Sequence, residues 1–383
     1  MRILVITPYF HPHPGGSQQY IEELYSAMQE VKPELKVDVL CYNTDHMPAE
    51  EKYRGMTIYR IDCLEVLASQ FAIPNPVHLV RVLQQLKRQN QYDVVNSHTR
   101  FFDNSWWTPL VAHYFGAKSL LTDHCAEQPR HSFFLANWLT HVIDTYTVKR
   151  LARSYTQIIA SSQSTQEYLK KIGVPQSTIV YPGVDVNFFT AEKNPDRSIP
   201  HTKTSLSEKE VVVAFLGRLI STKGGELFLK TVSPLLQKYP HLRIVVAGSG
   251  PLLIQLRSQY QDKKIFFTDQ LNKKEVAQLL NMTDVLALPS THHEGFPVTI
   301  LLAGATRCAV VTTNQGAIGE VIQDKKNGLI IEPNSESLLD AVEQLIERPL
   351  LRKKLADQLY ETVSSQFSWK KSAQIFLKIL SIA

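Results

Sequence analysis

The apolar and polar positions of this chain fall into a repeating order. Arg2 to Thr7 is an almost unbroken apolar run, the pattern of a strand covered on both faces. Pro8 to Gly16 breaks the run, and Ile21, Leu24, Tyr25 and Met28 then recur at helical spacing, with Ser17 in position to cap the helix. The alternation continues. Strands are predicted over Lys36–Tyr42, Met56–Ile61, Tyr92–Ser97 (ending at His98), Lys118–Thr122, Gln157–Ala160 and Thr178–Tyr181. Helices are predicted over Pro76–Arg88, Asn104–Phe115 (stopped by Gly116), Phe133–Ala152 and Ser162–Ile172 (closed by Gly173).

A polar stretch from Ala191 to Lys209, carrying Pro and charge, marks a linker, so a domain boundary is expected near Thr190. The pattern then restarts. Strands are predicted over Val211–Leu216, Leu242–Ala247, Lys264–Phe267, Val285–Leu288, Ala309–Thr312 and Gly328–Ile331. Helices fall over Glu226–Lys238, Lys273–Met282, Val298–Ala305, Ser335–Glu347 and Leu350–Ser364, with a last one opening at Phe367-Ser368-Trp369. Strands alternating with helices of this length imply two α/β domains, each with a doubly wound parallel sheet.

Composition adds little. The 383 residues are 44% hydrophobic and 20% charged, ordinary for a globular protein with two cores. The net charge of +5 suits anionic partners such as nucleotide phosphates or an acidic membrane surface, but no basic run is long enough for a nucleic-acid arm. Cys41, Cys63, Cys125 and Cys308 form no Cys-x-x-Cys pair and read as reduced thiols of a cytoplasmic protein. The apolar start reads as a first strand and not as a signal peptide, and no run reaches bilayer length, so any membrane contact is expected to be peripheral.

Candidate chemistry sits in the loops after strands. Gly15-Gly16 precede a helix N-terminus, where a backbone can approach an anion closely. Gly217-Arg218 … Lys223-Gly224 put two cations in one strand-to-helix loop; a guanidinium and an ammonium there suit phosphate oxygens. Glu294 lies between a strand and a helix, in His293-Glu294-Gly295-Phe296-Pro297, with Pro297 where a first helical turn tolerates it. His98 and His124 end two strands. Gly248-Ser249-Gly250 lacks the third glycine of a dinucleotide fingerprint and reads as a tight turn. Arg130, His131, Phe134 and Trp138 suit either core packing with a solvated rim or an acceptor site.

Glu294-Gly295-Phe296-Pro297 followed by an apolar helix resembles the donor-sugar loop of the retaining family-4 glycosyltransferases, of GT-B fold. Gly217-Arg218 … Lys223-Gly224 is similar to that family's diphosphate loop, Leu121-Thr122-Asp123-His124 to its strand-end histidine, Tyr181–Asp185 to its interdomain segment, and Asn314–Val321 to its nucleotide-facing loop. The resemblance covers nearly the whole chain. It implies two Rossmann-like domains facing across a cleft: residues 1–190 on the acceptor side and 191–366 binding the nucleotide sugar, with the helix 367–383 packing back on the first. It implies transfer of a sugar from a nucleotide-diphosphate sugar to a hydroxyl of a glycan or lipid-linked acceptor, with retention.

By that likeness Arg218 and Lys223 hold the leaving diphosphate, Glu294 the sugar hydroxyls, and His124 the sugar's 6-position or reacting centre. Gly16, with Gly15, lets phosphate approach, and Gly217, Gly295, Phe296, Pro297 and position 302 line the substrate. His124 ranks above His98, His11 and His13. No Asp-x-Asp motif ends a strand, which fits metal-free, cofactor-free catalysis. The chain departs from the family at Leu302, where a second glutamate is expected to grip the ribose, and at Thr306-Arg307-Cys308-Ala309, which lacks the usual Gly and Pro. The alternative implied is a non-catalytic sugar- or nucleotide-binding relative acting as a partner subunit. An epimerase or phosphorylase of the same fold has no clear support in these residues.

Overall fold

A computed structural model describes residues 1–13, 15–66, 71–128, 138, 140–142, 144, 148–190, 197–292 and 295–382. The chain divides into two compact units, Met1–Pro182 with Trp369–Ala383, and Gly183–Ser368.

The first unit is built on β1 (Arg2–Ile6), β2 (Lys36–Tyr42), β3 (Glu50–Tyr53), β4 (Met56–Ile61), β5 (Cys63–Val66), β6 (Phe71–Pro74), β7 (Val94–His98), β8 (Lys118–Asp123), β9 (Gln157–Ala160) and β10 (Thr178–Ile179). Its main sheet runs β10-β9-β8-β7-β1-β2-β4-β3, parallel except for the edge strand β3. Its described helices are α1 (Gly16–Val31), α2 (Pro76–Gln89), α3 (Asn104–Phe115), α4 (Val148–Ala152) and α5 (Gln163–Lys171). Alternate residues of β1 serve two cores. Ile3 and Val5 face α1 and the C-terminal helix Trp369–Ile382, whereas Leu4 and Ile6 face α2 and α3. β5 and β6 form a separate hairpin.

Several expectations shift in the first unit. α1 begins at Gly16 with Gly15 as its N-cap, so Ser17 lies inside the helix and bonds Gln18 instead of capping. The edge strand β3 and the β5–β6 hairpin were not anticipated. The helix expected over 133–152 falls mostly outside the described residues, whose helical part here is α4 with a short piece around Thr140–Val142.

The second unit opens with α6 (Val186–Thr190) and carries β11 (Val211–Leu216), β12 (Leu242–Ala247), β13 (Ile265–Phe267), β14 (Val285–Leu288), β15 (Ala309–Thr313) and β16 (Leu329–Ile331), all parallel in the order β13-β12-β11-β14-β15-β16. Its helices continue as α7 (Gly225–Val232), α8 (Leu235–Lys238), α9 (Leu253–Gln259), α10 (Lys273–Met282), α11 (Val298–Ala305), α12 (Ser335–Glu347) and α13 (Pro349–Gln366). The single helix expected over Glu226–Lys238 is two, because Pro234 interrupts it. α9 is an addition. The units part at Pro182 and not at Thr190: Phe189 is buried in the second unit, and Asn281 donates to its carbonyl at 2.8 Å.

In both sheets the first strand of the unit is central, and the chain steps outward from it on either side. The step reverses between β1 and β7 in the first unit and between β11 and β14 in the second. Such a reversal leaves a crevice beyond the carboxyl ends of the two strands, the usual ligand position in an open α/β sheet.

The Gly248-Ser249-Gly250 segment after β12 is a place of close approach, not only a turn. Its backbone runs against the loop after β11: Gly217 N donates to Ala247 O at 3.0 Å and Leu219 N to Ser249 O at 2.8 Å. Gly248 has φ +134, and a Cβ there would fall on the carbonyl of Gly217. Gly248→Ala is therefore expected to lower stability by about 1–3 kcal/mol in urea denaturation. Gly16→Ala, at a helix start where a Cβ meets nothing within 4 Å, should change it by less than about 1 kcal/mol.

Candidate active site

In the second unit the reversal between β11 and β14 gathers the predicted cationic loop. β11 ends at Leu216; Gly217, Arg218, Leu219 and Ile220 follow, then a 3-10 turn Ser221–Lys223, then Gly224 and α7. Arg218 is exposed and Lys223 half-buried. The loop is bound to the end of β14. Thr291 N donates to Thr222 O at 3.0 Å. Gly224, at φ +78, leaves no room for a side chain because Pro289 O occupies the position. The cations and the segment leading toward Glu294 thus share one strand-end cluster. Beside it, Thr313 Oγ1 donates to Ser290 O at 2.6 Å, so the end of β15 is tied in as well. Gly316, with φ +62, caps the 3-10 turn Ala317–Glu320 that follows.

Glu294 and His293 lie outside the described residues. Gly295 and Phe296 are half-buried, and Pro297 is buried as the N-cap of α11. The Phe296 ring lies 5.7 Å from that of Phe367, so it also packs within its own unit. Leu302 is half-buried one turn into α11, on the side of Val298 and Thr299.

In the first unit the corresponding reversal lies between β1 and β7. Here α1 begins, so Gly15, Gly16 and the first amides of α1 stand at the carboxyl edge of β1. β7 ends at His98, which pairs in register with Thr122 of β8; His124 follows two residues later. The two imidazoles meet. His98 Nδ1 and His124 Nε2 are 3.0 Å apart, and Tyr20 of α1 sets its ring edge-on to His124 at 4.7 Å between centroids. His98 is buried and His124 half-buried. Burial lowers both histidine pKa values, and the His124 ring further disfavours charge on His98, so the pair is neutral near pH 7. His11 and His13 lie elsewhere, stacked on Tyr53 and Tyr9.

The segment that carries His124 is held by a group that sequence patterns did not single out. Arg100, wholly buried, forms an ion pair with Asp123 and another with Asp144 at 3.1 Å. It also donates to the carbonyls of Cys125, at 3.2 Å, and Glu127, at 3.3 Å. Its guanidinium lies over Phe101 at 4.1 Å and over Tyr168 at 5.0 Å, and the Tyr168 hydroxyl donates to Asp144 at 2.7 Å. The five N–H groups of one guanidinium are thereby directed at two carboxylates and two carbonyls. Of the aromatic and basic group expected near an acceptor site, Arg130, His131 and Phe134 lie outside the described residues, and Trp138 is exposed.

Residues 14–188 match the family Glycosyltransferase Family 4, and residues 196–362 match Glycosyl transferases group 1. A glycosyltransferase of Methanocaldococcus jannaschii is 22% identical over 396 residues, covering 99% of this chain and 98% of its own. The phosphatidylinositol N-acetylglucosaminyltransferase GPI3 subunit of Saccharomyces cerevisiae is 21% identical over 395 residues, covering 99% of this chain and 83% of its own. Among solved structures, HepE of Anabaena in complex with UDP and glucose superposes with a TM-score of 0.76 over 100% of both chains at 18% identity. WaaG, a glycosyltransferase involved in lipopolysaccharide biosynthesis, does so with a TM-score of 0.71 over 99% of both chains at 14% identity. The chain belongs to the GT-B glycosyltransferases.

In this glycosyltransferase each unit brings its own predicted residues to one strand edge: Gly15, Gly16 and His124 in the first, Gly217, Arg218, Lys223 and Pro297 in the second. His98 was placed below His124 in the sequence, yet its ring nitrogen is the one that meets a ring nitrogen of His124. Both strands run into a histidine, His98 at the end of β7 and His124 just past the end of β8, but only the strand order makes the two neighbours. No signal marked Arg100 or Asp144, which only the packing connects.

Arg100→Ala leaves the carboxylates of Asp123 and Asp144 buried without their cation. It should cost about 3–5 kcal/mol, read as a lower denaturation midpoint. Arg100→Lys is expected to recover little of it, because an ammonium cannot reach both carboxylates in the plane of the fork.

Proposed function

We propose that this glycosyltransferase moves a sugar from a nucleoside-diphosphate sugar to an acceptor hydroxyl with retention at the anomeric carbon, without a metal ion or other cofactor. The observation that carries the reading is the cationic loop after β11, tied through Thr222 and Thr291 to the stretch that leads to Glu294. As the bond from sugar to phosphate breaks, negative charge builds on the leaving diphosphate. Arg218 meets it with a planar two-point donor and Lys223 with a compact charge, already positioned. The Glu294 carboxylate accepts from sugar hydroxyls and fixes the ring. His124 contacts the sugar's 6-position or reacting centre, and Gly15 and Gly16 let the diphosphate approach the start of α1.

HepE was solved with UDP, which makes uridine diphosphate sugars the first donors to try. Incubation with a panel of uridine, guanosine and adenosine diphosphate sugars should release nucleoside diphosphate, and EDTA should leave the rate unchanged. Arg218→Ala and Lys223→Ala should each weaken nucleotide binding about ten- to hundredfold in calorimetry. Loss of activity with EDTA, restored by magnesium, would refute the metal-free step.

Leu302 favours a second reading. A leucine accepts no hydrogen bond from ribose, so the nucleoside is held by phosphate contacts and packing. A chain that binds a nucleotide sugar without transferring it, as a partner of a catalytic subunit, would show binding but no release from any donor. The GPI3 relative is itself named as a subunit.

The acceptor is a glycan or a lipid-linked glycan, and the first unit carries a surface suited to peripheral membrane contact. No described helix is long and apolar enough to cross a bilayer. α2 and α3 contain no Asp or Glu, while α2 carries Arg81, Lys87 and Arg88. Val77, Val80, Leu110 and Tyr114 are exposed on these helices, and Leu64 and Ile73 are exposed as cross-strand partners on the β5–β6 hairpin. Lys87 Nζ donates to Tyr114 O at 2.7 Å, joining the two helices. Apolar side chains with an aromatic and a basic rim suit the interface of an anionic bilayer. A second copy on this face would oppose cation to cation. Binding is expected to vesicles of anionic phospholipid and not to neutral ones, to fall with salt, and to weaken about fivefold for each of Arg81→Gln and Arg88→Gln. Equal binding to neutral vesicles, or none to either, would discard the surface.

A further inference from the structure

The two histidines at the ends of β7 and β8 are the end of a longer buried chain of polar groups. Asn96, two residues before His98 on β7, is wholly buried. Its Nδ2 lies 2.7 Å from the Tyr25 hydroxyl, 3.1 Å from Thr122 Oγ1 and 3.3 Å from His98 Nε2. Thr122 Oγ1 returns a hydrogen bond to Asn96 Oδ1 at 3.3 Å. His98 Nδ1 meets His124 Nε2 at 3.0 Å. Among the described residues, His124 Nδ1 has no hydrogen-bond partner.

Neutral imidazole carries one N–H and one bare nitrogen, so the order of donors along such a chain is determined by its first member. With Thr122 Oγ1 donating to Asn96 Oδ1, the two N–H groups of the Asn96 amide serve the Tyr25 hydroxyl and His98, and that nitrogen can only donate. His98 Nε2 is then the acceptor, and the His98 proton sits on Nδ1. That N–H donates to His124 Nε2, which is bare, and the His124 proton is left on Nδ1.

We infer that Asn96 and His98 are positioning residues that fix His124 as the neutral tautomer protonated at Nδ1, so that His124 offers the sugar a hydrogen-bond donor and not a base. The inference rests on the donor-site role proposed for His124 above. It adds what that role leaves open, the direction of the hydrogen bond. A sugar hydroxyl or ring oxygen accepts from His124 Nδ1, and the ring takes no proton from the acceptor hydroxyl. Burial supports this by keeping both rings uncharged near neutral pH. The Tyr20 ring, edge-on to His124, and the backbone bond from His124 N to Asp123 Oδ1, at 3.0 Å, hold the residue in place without engaging its ring nitrogens.

The test is nitrogen-15 NMR of the full chain labelled at histidine, which reports the protonation of each ring nitrogen and needs no substrate. The expected spectrum at pH 7.5 has His98 and His124 both neutral, both protonated at Nδ1 and bare at Nε2. Free histidine favours the proton on Nε2, so the expected signature is opposite to that of an unconstrained ring. His124 protonated at Nε2, or at both nitrogens, would overturn the inference. Asn96→Asp supplies a carboxylate that only accepts and should reverse both tautomers; a folded N96D variant with an unchanged His124 signature would overturn the relay. His98→Gln keeps an amide donor and should preserve the His124 signature, whereas His98→Leu should release it.

The donor-site role has its own readout. With a donor that the wild type cleaves, His124→Ala should lower kcat at least tenfold, and H98Q should retain more activity than H98L. If the tautomers are as expected but His124→Ala transfers sugar at the wild-type rate, the donor-site role is refuted while the relay stands.

Discussion

Both sheets of this glycosyltransferase are covered by helices on two faces, and that burial governs where anything else can happen. A parallel strand buried on both sides commits its backbone groups to its neighbours and its side chains to two cores, as Ile3 and Leu4 do on opposite faces of β1. What is left for chemistry is the edge where the strands end and helices begin. Arg218, Lys223, Pro297, Gly16, His98 and His124 all stand at that edge of their own unit, and none is on a strand interior. The reversal of strand order then decides which loops are neighbours there.

The two units solve the same problem with different materials. In the second, backbone lies against backbone: the loops after β11, β12 and β14 are joined through Gly224, Gly248 and Thr291, and the cations ride on that frame. In the first, the frame is ionic and polar. Arg100 pins the segment after β8 through two carboxylates and two carbonyls, and the chain from Tyr25 to His98 runs beneath it. A guanidinium so enclosed is worth more as a constraint than as a source of stability, because its desolvation offsets much of its attraction.

The strands of both cores were legible because apolar runs of four to seven residues have few other uses. β2, β4, β9, β11, β12 and β14 begin and end where the pattern placed them. β3 was missed for a physical reason: Glu50-Glu51-Lys52-Tyr53 lies at the sheet edge, where polar side chains are favoured and no hydrophobic alternation is required. The Ser17 cap failed because a glycine serves as N-cap at almost no cost in a helix whose inner face is deeply buried. The cationic loop could be read from its residue types. The pairing of His98 with His124 could not, since it depends on which strands are neighbours. The Arg100 cluster joins positions 100, 123 and 144, and no local pattern relates such distant residues.

The C-terminal helix Trp369–Ile382 has a consequence for how the protein is made. Trp369, Ala373, Phe376 and Leu380 are buried against the core that Tyr20, Tyr25 and Val39 help to form. The ribosome therefore delivers the whole second unit before the first can close its own core. During that interval the apolar face of α1 and the strands beneath it are uncovered, while Gly183–Ser368 already has every segment it requires. Vectorial synthesis thus inverts the order of the chain: the unit begun first is completed last, and a nascent chain that stalls late exposes its oldest surface.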